Sequence, residues 1–233
     1  QIFAFTAAPV TVFLSGIIGS QFSPVKSLAT LPMALSIVGI AIFAIFAAKV
    51  MSIIGRRAGF MFASVVSSLS SVLAAYSIII ESFILFNFSC FLLGAGVAFS
   101  HQYRFAAVET VKKDMAPKAI SIILLAGIGS AFIGPNVANI TKGFIAEHLY
   151  AGSYIALAAL TLTSTIFLLF YEDGHKPNHV NKKIKRSYLE LISQPRFLQA
   201  LVASAFAYAV MSFLMTATPI SMHVMEKISL TKT

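Results

Sequence analysis

The chain has 233 residues, of which 58% are hydrophobic and only 11% charged, with a mean hydropathy of +0.87. A soluble domain is about half apolar and about a quarter charged, so these charges are too few to cover a surface, and lipid must solvate much of it. The formal net charge of +9 would suit a nucleic-acid binder only as a basic patch interleaved with aromatics on a soluble face. Its distribution along the chain excludes that, leaving the lipid bilayer as the expected partner and no nucleic acid.

A helix that crosses a bilayer needs about 20 mostly apolar residues, and the sequence predicts seven, at about 2–22, 28–50, 58–80, 82–108, 118–140, 150–171 and 197–222. Apolar sequence begins at once, and the first run is too long for a signal peptide and lacks its basic flank, so it is read as a retained span. Span one carries Pro9 and a small-residue end of Ser15, Gly16, Gly19 and Ser20; span two carries Pro32 and is followed by the basic turn Ile54-Gly55-Arg56-Arg57. In span three, Gly59, Ala63, Ser67, Ser71 and Ala75 recur every four residues, a stripe that lets another helix approach closely. Span four is the longest. Pro117 suits the start of span five, where Ala126, Ser130 and Gly134 form another packing stripe ahead of Pro135. The single cysteine, Cys90, lies in an apolar run, so no intrachain disulfide is available.

After span six the composition changes. Residues 172–196 hold a basic block in which Ile184, Tyr188, Leu191 and Ile192 share a helical face amid Lys182, Lys183, Lys185 and Arg186. That pattern reads either as an amphipathic helix on an anionic membrane surface or as a solvated linker. Loops after spans two, four and six carry twelve of the 17 Lys and Arg residues and the opposite loops four. The positive-inside rule then places Gln1 on the cytoplasmic side.

One hexapeptide returns. Thr6-Ala7-Ala8-Pro9-Val10-Thr11 is echoed 210 residues later by Thr216-Ala217-Thr218-Pro219-Ile220-Ser221. Weak internal symmetry of this kind marks parallel repeats in membrane carriers, with the transport path between them. The expected organisation is an all-α polytopic bundle. A six-span domain over 1–171 is followed by the cytoplasmic linker 172–196, then by the seventh span and start of a truncated second bundle over 197–233.

The turn Gly55-Arg56-Arg57 resembles the core of the signature loop of the major facilitator superfamily, which lies at this site; Ala48, Ser52 and Ile53 stand where that signature has its first glycine, its aspartate and its first arginine. Gly129 through Gly134-Pro135 resembles the glycine-rich motif ending in glycine-proline of the superfamily's exporters. Cys90, ahead of Gly94, stands where the family has an arginine in span four. The resemblance implies a twelve-helix alternating-access carrier whose helices one, four, seven and ten line a central cavity. It implies a missing C-terminal half as partner, and a cytoplasmic gate at Gly55, Arg56 and Arg57, with Glu109 standing in for the absent acid.

Among residues that could carry chemistry, Arg104 is the basic residue placed inside a span. A charge there costs ~2.5–3.5 kcal/mol on insertion scales, so it either faces protein or water, as an anion or proton site with His101 and Gln102, or snorkels to the interface and pairs with Glu109. His101, one turn earlier, is the titratable candidate or a hydrogen-bonded packing residue. Thr6, Thr11, Thr216, Thr218 and Ser221 offer hydroxyls beside Pro9 and Pro219, as paired half-sites or as bonds back to their own helices. Asn136 and Asn139 are read as substrate contacts or interhelical links. Gly129, Gly134 and Pro135 are packing or hinge positions. No metal spacing, phosphate-cradling loop or nucleophile elbow is present, and His175 and His179 read as solvated, so neither enzyme activity, cofactor nor metal is expected. The expected function is secondary active transport of a small organic solute, leaning anionic through Arg104, with protons as coupling ion, efflux favoured, in a bacterial inner (plasma) membrane. The alternative is a non-transporting receptor or scaffold on the same fold.

Overall fold

A computed structural model describes residues 1–171 and 193–221. The helices are α1 (Ile2–Phe5), α2 (Ala7–Phe22), α3 (Leu31–Ile54), α4 (Arg56–Ile79), α5 (Phe83–Ser100), α6 (Tyr103–Glu109), α7 (Ala116–Thr141), α8 (Ala151–Leu169) and α9 (Pro195–Ile220). Taken with their short extensions they make seven segments long and apolar enough to cross a membrane among the described residues. The linker residues 172–192, with the amphipathic-helix reading and His175 and His179, lie outside the described residues, as does 222–233.

Local chemistry explains the breaks. Pro9 has no N–H to give the Phe5 carbonyl, and the first span is hitched one turn earlier, at Thr6, between α1 and α2. Gly55 joins α3 to α4 in a single residue at φ 89° and ψ 164°, a conformation that suits only glycine. Ser82 caps α5, its hydroxyl accepting from the Leu85 N–H at 3.4 Å. Pro32, Pro117 and Pro195 all stand in first turns, where their missing N–H costs nothing.

The fourth span, read from the sequence as one run over 82–108, is two helices. At His101–Gln102 the ladder tightens, the Gln102 N–H reaching the Phe99 carbonyl at 2.9 Å, while the Ser100 hydroxyl bonds back to the Gly96 carbonyl at 3.1 Å. Back-bonding of this kind bends helices.

Packing is closest around α5. A methyl group on Gly39 would strike the Phe91 carbonyl, and one on Gly94 the Ser36 carbonyl, so α3 and α5 meet backbone to backbone. A methyl on Gly96 would strike Ser67, a member of the small-residue stripe of α4. The adjoining flank of α4 is sewn to α8 by hydroxyls: Ser68 donates to the Ala158 carbonyl at 3.0 Å, and Ser64 to that of Thr161. Two apolar clusters result. The larger gathers α2, α4, α5 and α8 around residues such as Leu14, Ile18, Phe86 and Tyr154. The smaller, with Met51, Phe60, Phe99 and Leu168, sits at the Arg56 end, where Phe60 stacks on Tyr103 at 4.1 Å between centroids.

Burial separates the spans. Two-thirds (67%) of the apolar window is buried in the first and fourth, against 11% in the span containing α7 and 0% in α9. The first span is thus the inner element, and its flank toward α7 and α9 is the open side of the bundle.

Candidate functional site

On that open side, α2, α7 and α9 line an open cavity of about 330 Å³. Each helix contributes one stripe. Pro9, Val12 and Phe13 come from α2, Ala131 and Pro135 from α7, and Leu214, Met215 and Thr218 from α9. These spacings of three and four residues place each set on one helix face. Gly134 sets the approach of α7, since a methyl there would lie 3.0 Å from Pro9 Cγ and 3.3 Å from Val10 Cγ2. Both copies of the repeated hexapeptide therefore reach one cavity, the first through Pro9 and the second through Thr218. The Thr218 hydroxyl is the one polar side-chain group in the lining, and no lining residue is charged. Concave, apolar surfaces with few polar groups are where small organic ligands bind.

A second constellation lies where α3 turns into α4. Arg56 donates from Nε to Oε2 of Glu109 at 2.9 Å and from Nη2 to Oε1 at 2.5 Å, a two-pronged pairing that ties α4 to α6. Arg57 Nη2 donates to the Leu169 carbonyl at 2.5 Å, tying the same turn to α8. Ser52, where the family signature has its acid, turns its hydroxyl back to the Lys49 carbonyl at 2.7 Å. With side chains 23% and 53% exposed, the Arg56–Glu109 pair is worth about 1 kcal/mol or less.

Other expected site residues are placed elsewhere. Thr6 is fully buried and its hydroxyl donates to the Ile2 carbonyl at 2.7 Å; Thr11 is buried with its hydroxyl unpartnered. Neither lines the cavity, which corrects the expectation of paired hydroxyl half-sites for the first copy. For Thr11 helical phase is the reason, since it follows Pro9 by two residues and points to the opposite side, whereas Val12 and Phe13 share the Pro9 face; Thr6 stands at the break between α1 and α2, its hydroxyl taken by Ile2. In the second copy Thr218 lines the cavity, while the side chains of Thr216 and Pro219 lie outside the described set.

His101 is half-buried, its ring edge-on to Phe5 at 5.4 Å between centroids. Gln102 sits at the break between α5 and α6. Arg104 is exposed, its Nε donating to the His101 carbonyl at 3.2 Å and its guanidinium 5.4 Å from the Phe105 ring centre. Glu109 is engaged by Arg56, so the alternative Arg104–Glu109 pairing does not form, and none of the three residues lines the cavity. Asn136 is exposed and bonds back to the Phe132 carbonyl at 2.7 Å, while Asn139 accepts from Lys142 Nζ at 2.8 Å. Each asparagine makes this bond within its own segment. At Gly129 a methyl would meet Ile2 at an ordinary 3.6 Å, so of the two glycines Gly134 makes the closer approach.

Sequence reasoning passed over Val12, Phe13, Ala131, Leu214 and Met215, because apolar residues in an apolar span carry no mark. The signal that finds them is distance from a proline: Val12 and Phe13 lie one turn after Pro9, and Ala131 one turn before Pro135.

A family profile described as Major Facilitator Superfamily matches residues 2–231. The riboflavin transporter RfnT of Brucella anthropi is 32% identical over 219 residues, covering 93% of this chain and 55% of that protein. Two Bacillus subtilis proteins described as uncharacterized MFS-type transporters are also similar. YdeG is 27% identical over 171 residues, 72% of this chain and 40% of its own length, and YddS 26% over 175 residues, 73% and 40%. The chain spans about half the length of these relatives, or less. No solved structure matches it. With the profile running almost end to end over seven membrane-length helices, this multi-pass membrane protein belongs to the Major Facilitator Superfamily.

Proposed function

We propose that the chain supplies the first six-span bundle and the seventh helix of a secondary carrier for a small, flat, uncharged heterocycle of the riboflavin kind. One observation carries this reading: the two copies of the repeat meet at a single cavity whose lining has no charge. The similarity to a riboflavin transporter over 93% of the chain supports the substrate class. A neutral solute replaces the anionic one suggested by Arg104, because that side chain stands outside the cavity.

In this reading α2 and α9 belong to opposite halves of an alternating-access carrier, and the solute is exposed to each side in turn as the halves rock. The Arg56–Glu109 clasp holds the cytoplasmic face shut in one state and parts in the other. Twelve basic residues against four support a cytoplasmic N-terminus in a plasma membrane. Proton coupling would fall to His101, the histidine of the fourth span, and the exporter-like Gly134-Pro135 supports efflux.

The test is riboflavin flux in right-side-out and inverted membrane vesicles containing the intact protein, with and without a protonophore. Saturable flux that falls on Ala131→Phe, which fills the cavity, supports the carrier. Absence of flux contradicts it, and binding without flux points to a receptor on the same fold.

A further inference from the structure

All three helices around the cavity carry a proline, and each proline removes one backbone donor at or beside the lining. A proline ring takes the place of an N–H and lies against the carbonyl four residues back, so ring and unpaired carbonyl share one side of the helix. Pro9 and Pro135 both line the cavity. Their orphaned carbonyls are those of Phe5 and Ala131, and Ala131 is itself a lining residue. In the second copy of the repeat Pro219 leaves the Met215 carbonyl without its helical donor, and Met215 also lines the cavity.

Two neighbouring side chains do not make good the loss. Thr6 donates to Ile2 rather than to Phe5, and Asn136 to Phe132 rather than to Ala131. No N–H of α2 reaches the Phe5 carbonyl, the Val10 N–H going to Thr6 at 3.2 Å. A carbonyl without a donor in a membrane interior is costly unless water or a ligand supplies one.

We infer that the proline-freed carbonyls of Ala131 and Met215, with that of Phe5 beside the lining residue Pro9, make this cavity an acceptor site, which selects a solute presenting N–H or O–H donors and turns away anions. The inference rests on the carrier reading above and adds the polar half of recognition. Apolar side chains seat the body of the solute, the carbonyls take its donors, and the Thr218 hydroxyl can serve either a donor or an acceptor on it. A solute without a donor leaves the carbonyls dry and unpaired, and sites built around a hydrogen bond reject such analogues strongly. An anion meets the negative ends of the carbonyl dipoles and finds no cation in the lining.

The experiment is fluorescence titration of the purified intact protein with riboflavin, its N3-methyl derivative, which lacks the imide N–H, and its phosphate ester. The expected order is riboflavin tightest, the N-methyl compound weaker by about five- to tenfold, the scale of one hydrogen bond, and the phosphate ester weakest. Pro135→Ala returns an N–H to the Ala131 carbonyl and is expected to narrow the riboflavin to N-methyl ratio to within about twofold. A merely steric change would weaken both ligands alike and leave the ratio intact. Equal affinity of the wild-type protein for riboflavin and its N-methyl derivative overturns the inference while leaving the carrier reading standing, and requires no variant to fold. A ratio that survives both Pro135→Ala and Pro9→Ala also overturns it. Binding of none of the three ligands removes the carrier reading, and this inference with it.

Discussion

On one side of the bundle α3, α4, α5 and α8 are locked together through Gly39, Gly94, Gly96 and the Ser64 and Ser68 hydroxyls. Along the seam of α2, α7 and α9, only Gly134 against Pro9 makes comparably tight contact, and a cavity of about 330 Å³ opens beside it. Both regions use small residues and hydroxyls, yet to different ends. In the first they bring backbones together. In the second, each helix carries a proline, which removes one backbone donor at or beside the cavity. The difference teaches that a small residue in a membrane helix acquires its meaning from the helix facing it: Gly94 and Gly129 look alike in the sequence, and only Gly94 is pressed against a neighbour's backbone.

That contrast can be broken first at its strong side. Gly94→Leu must push α5 away from α3, with an expected cost on the order of 3 kcal/mol, read as loss of a monodisperse peak and a sharp fall in Tm. Gly129→Ala is the matched control and should stay within about 0.5 kcal/mol of wild type. A comparable loss in both would erase the distinction between the two regions.

The seam should answer in the opposite way. Ala131→Phe fills the cavity from an exposed position, so riboflavin binding is expected to weaken by about tenfold or more with little change in Tm. A large fall in Tm with affinity preserved would make the cavity a packing defect and not a site.

The smallest effect belongs to the clasp. Arg56→Ala and Glu109→Ala should each cost about 1 kcal/mol or less, and a double-mutant cycle should show that most of this is shared. Because about 1 kcal/mol is roughly a fivefold change in an equilibrium, its larger signature is expected in the ratio of inward- to outward-open forms, read by cysteine accessibility at the Arg56 end. Arg104→Ala, outside the cavity, should leave riboflavin affinity within about twofold, the range of a surface change.

The spans were legible because hydropathy over about 20 residues is a strong signal, and the Gly55 turn because a one-residue connection at positive φ admits little but glycine. The repeat marked two helices that line one cavity, while the hydroxyls of its first copy lie outside that lining. Thr6 and Thr11 drew notice as polar residues, but Thr6 is consumed by the Ile2 carbonyl and Thr11 faces the packed interior. The break at His101–Gln102 has no proline or glycine to mark it, and the Ser100 back-bond beside it is one that Ser70, Ser71 and Ser89 also make inside unbroken helices. The partner of Arg56 was suggested by the position of Glu109 at a span end, whereas the serine seam between α4 and α8 required knowing which helices are neighbours.

The most direct test of the central claim is the rate at which a maleimide labels Thr218→Cys in the intact protein, with and without riboflavin. Cys90 is fully buried and does not compete for the reagent. If the cavity between the two repeat copies is the solute site, saturating riboflavin slows labelling several-fold, with a concentration dependence that matches its Kd. If riboflavin binds and labelling of Thr218→Cys proceeds unchanged, the solute sits elsewhere and the account of this cavity is wrong.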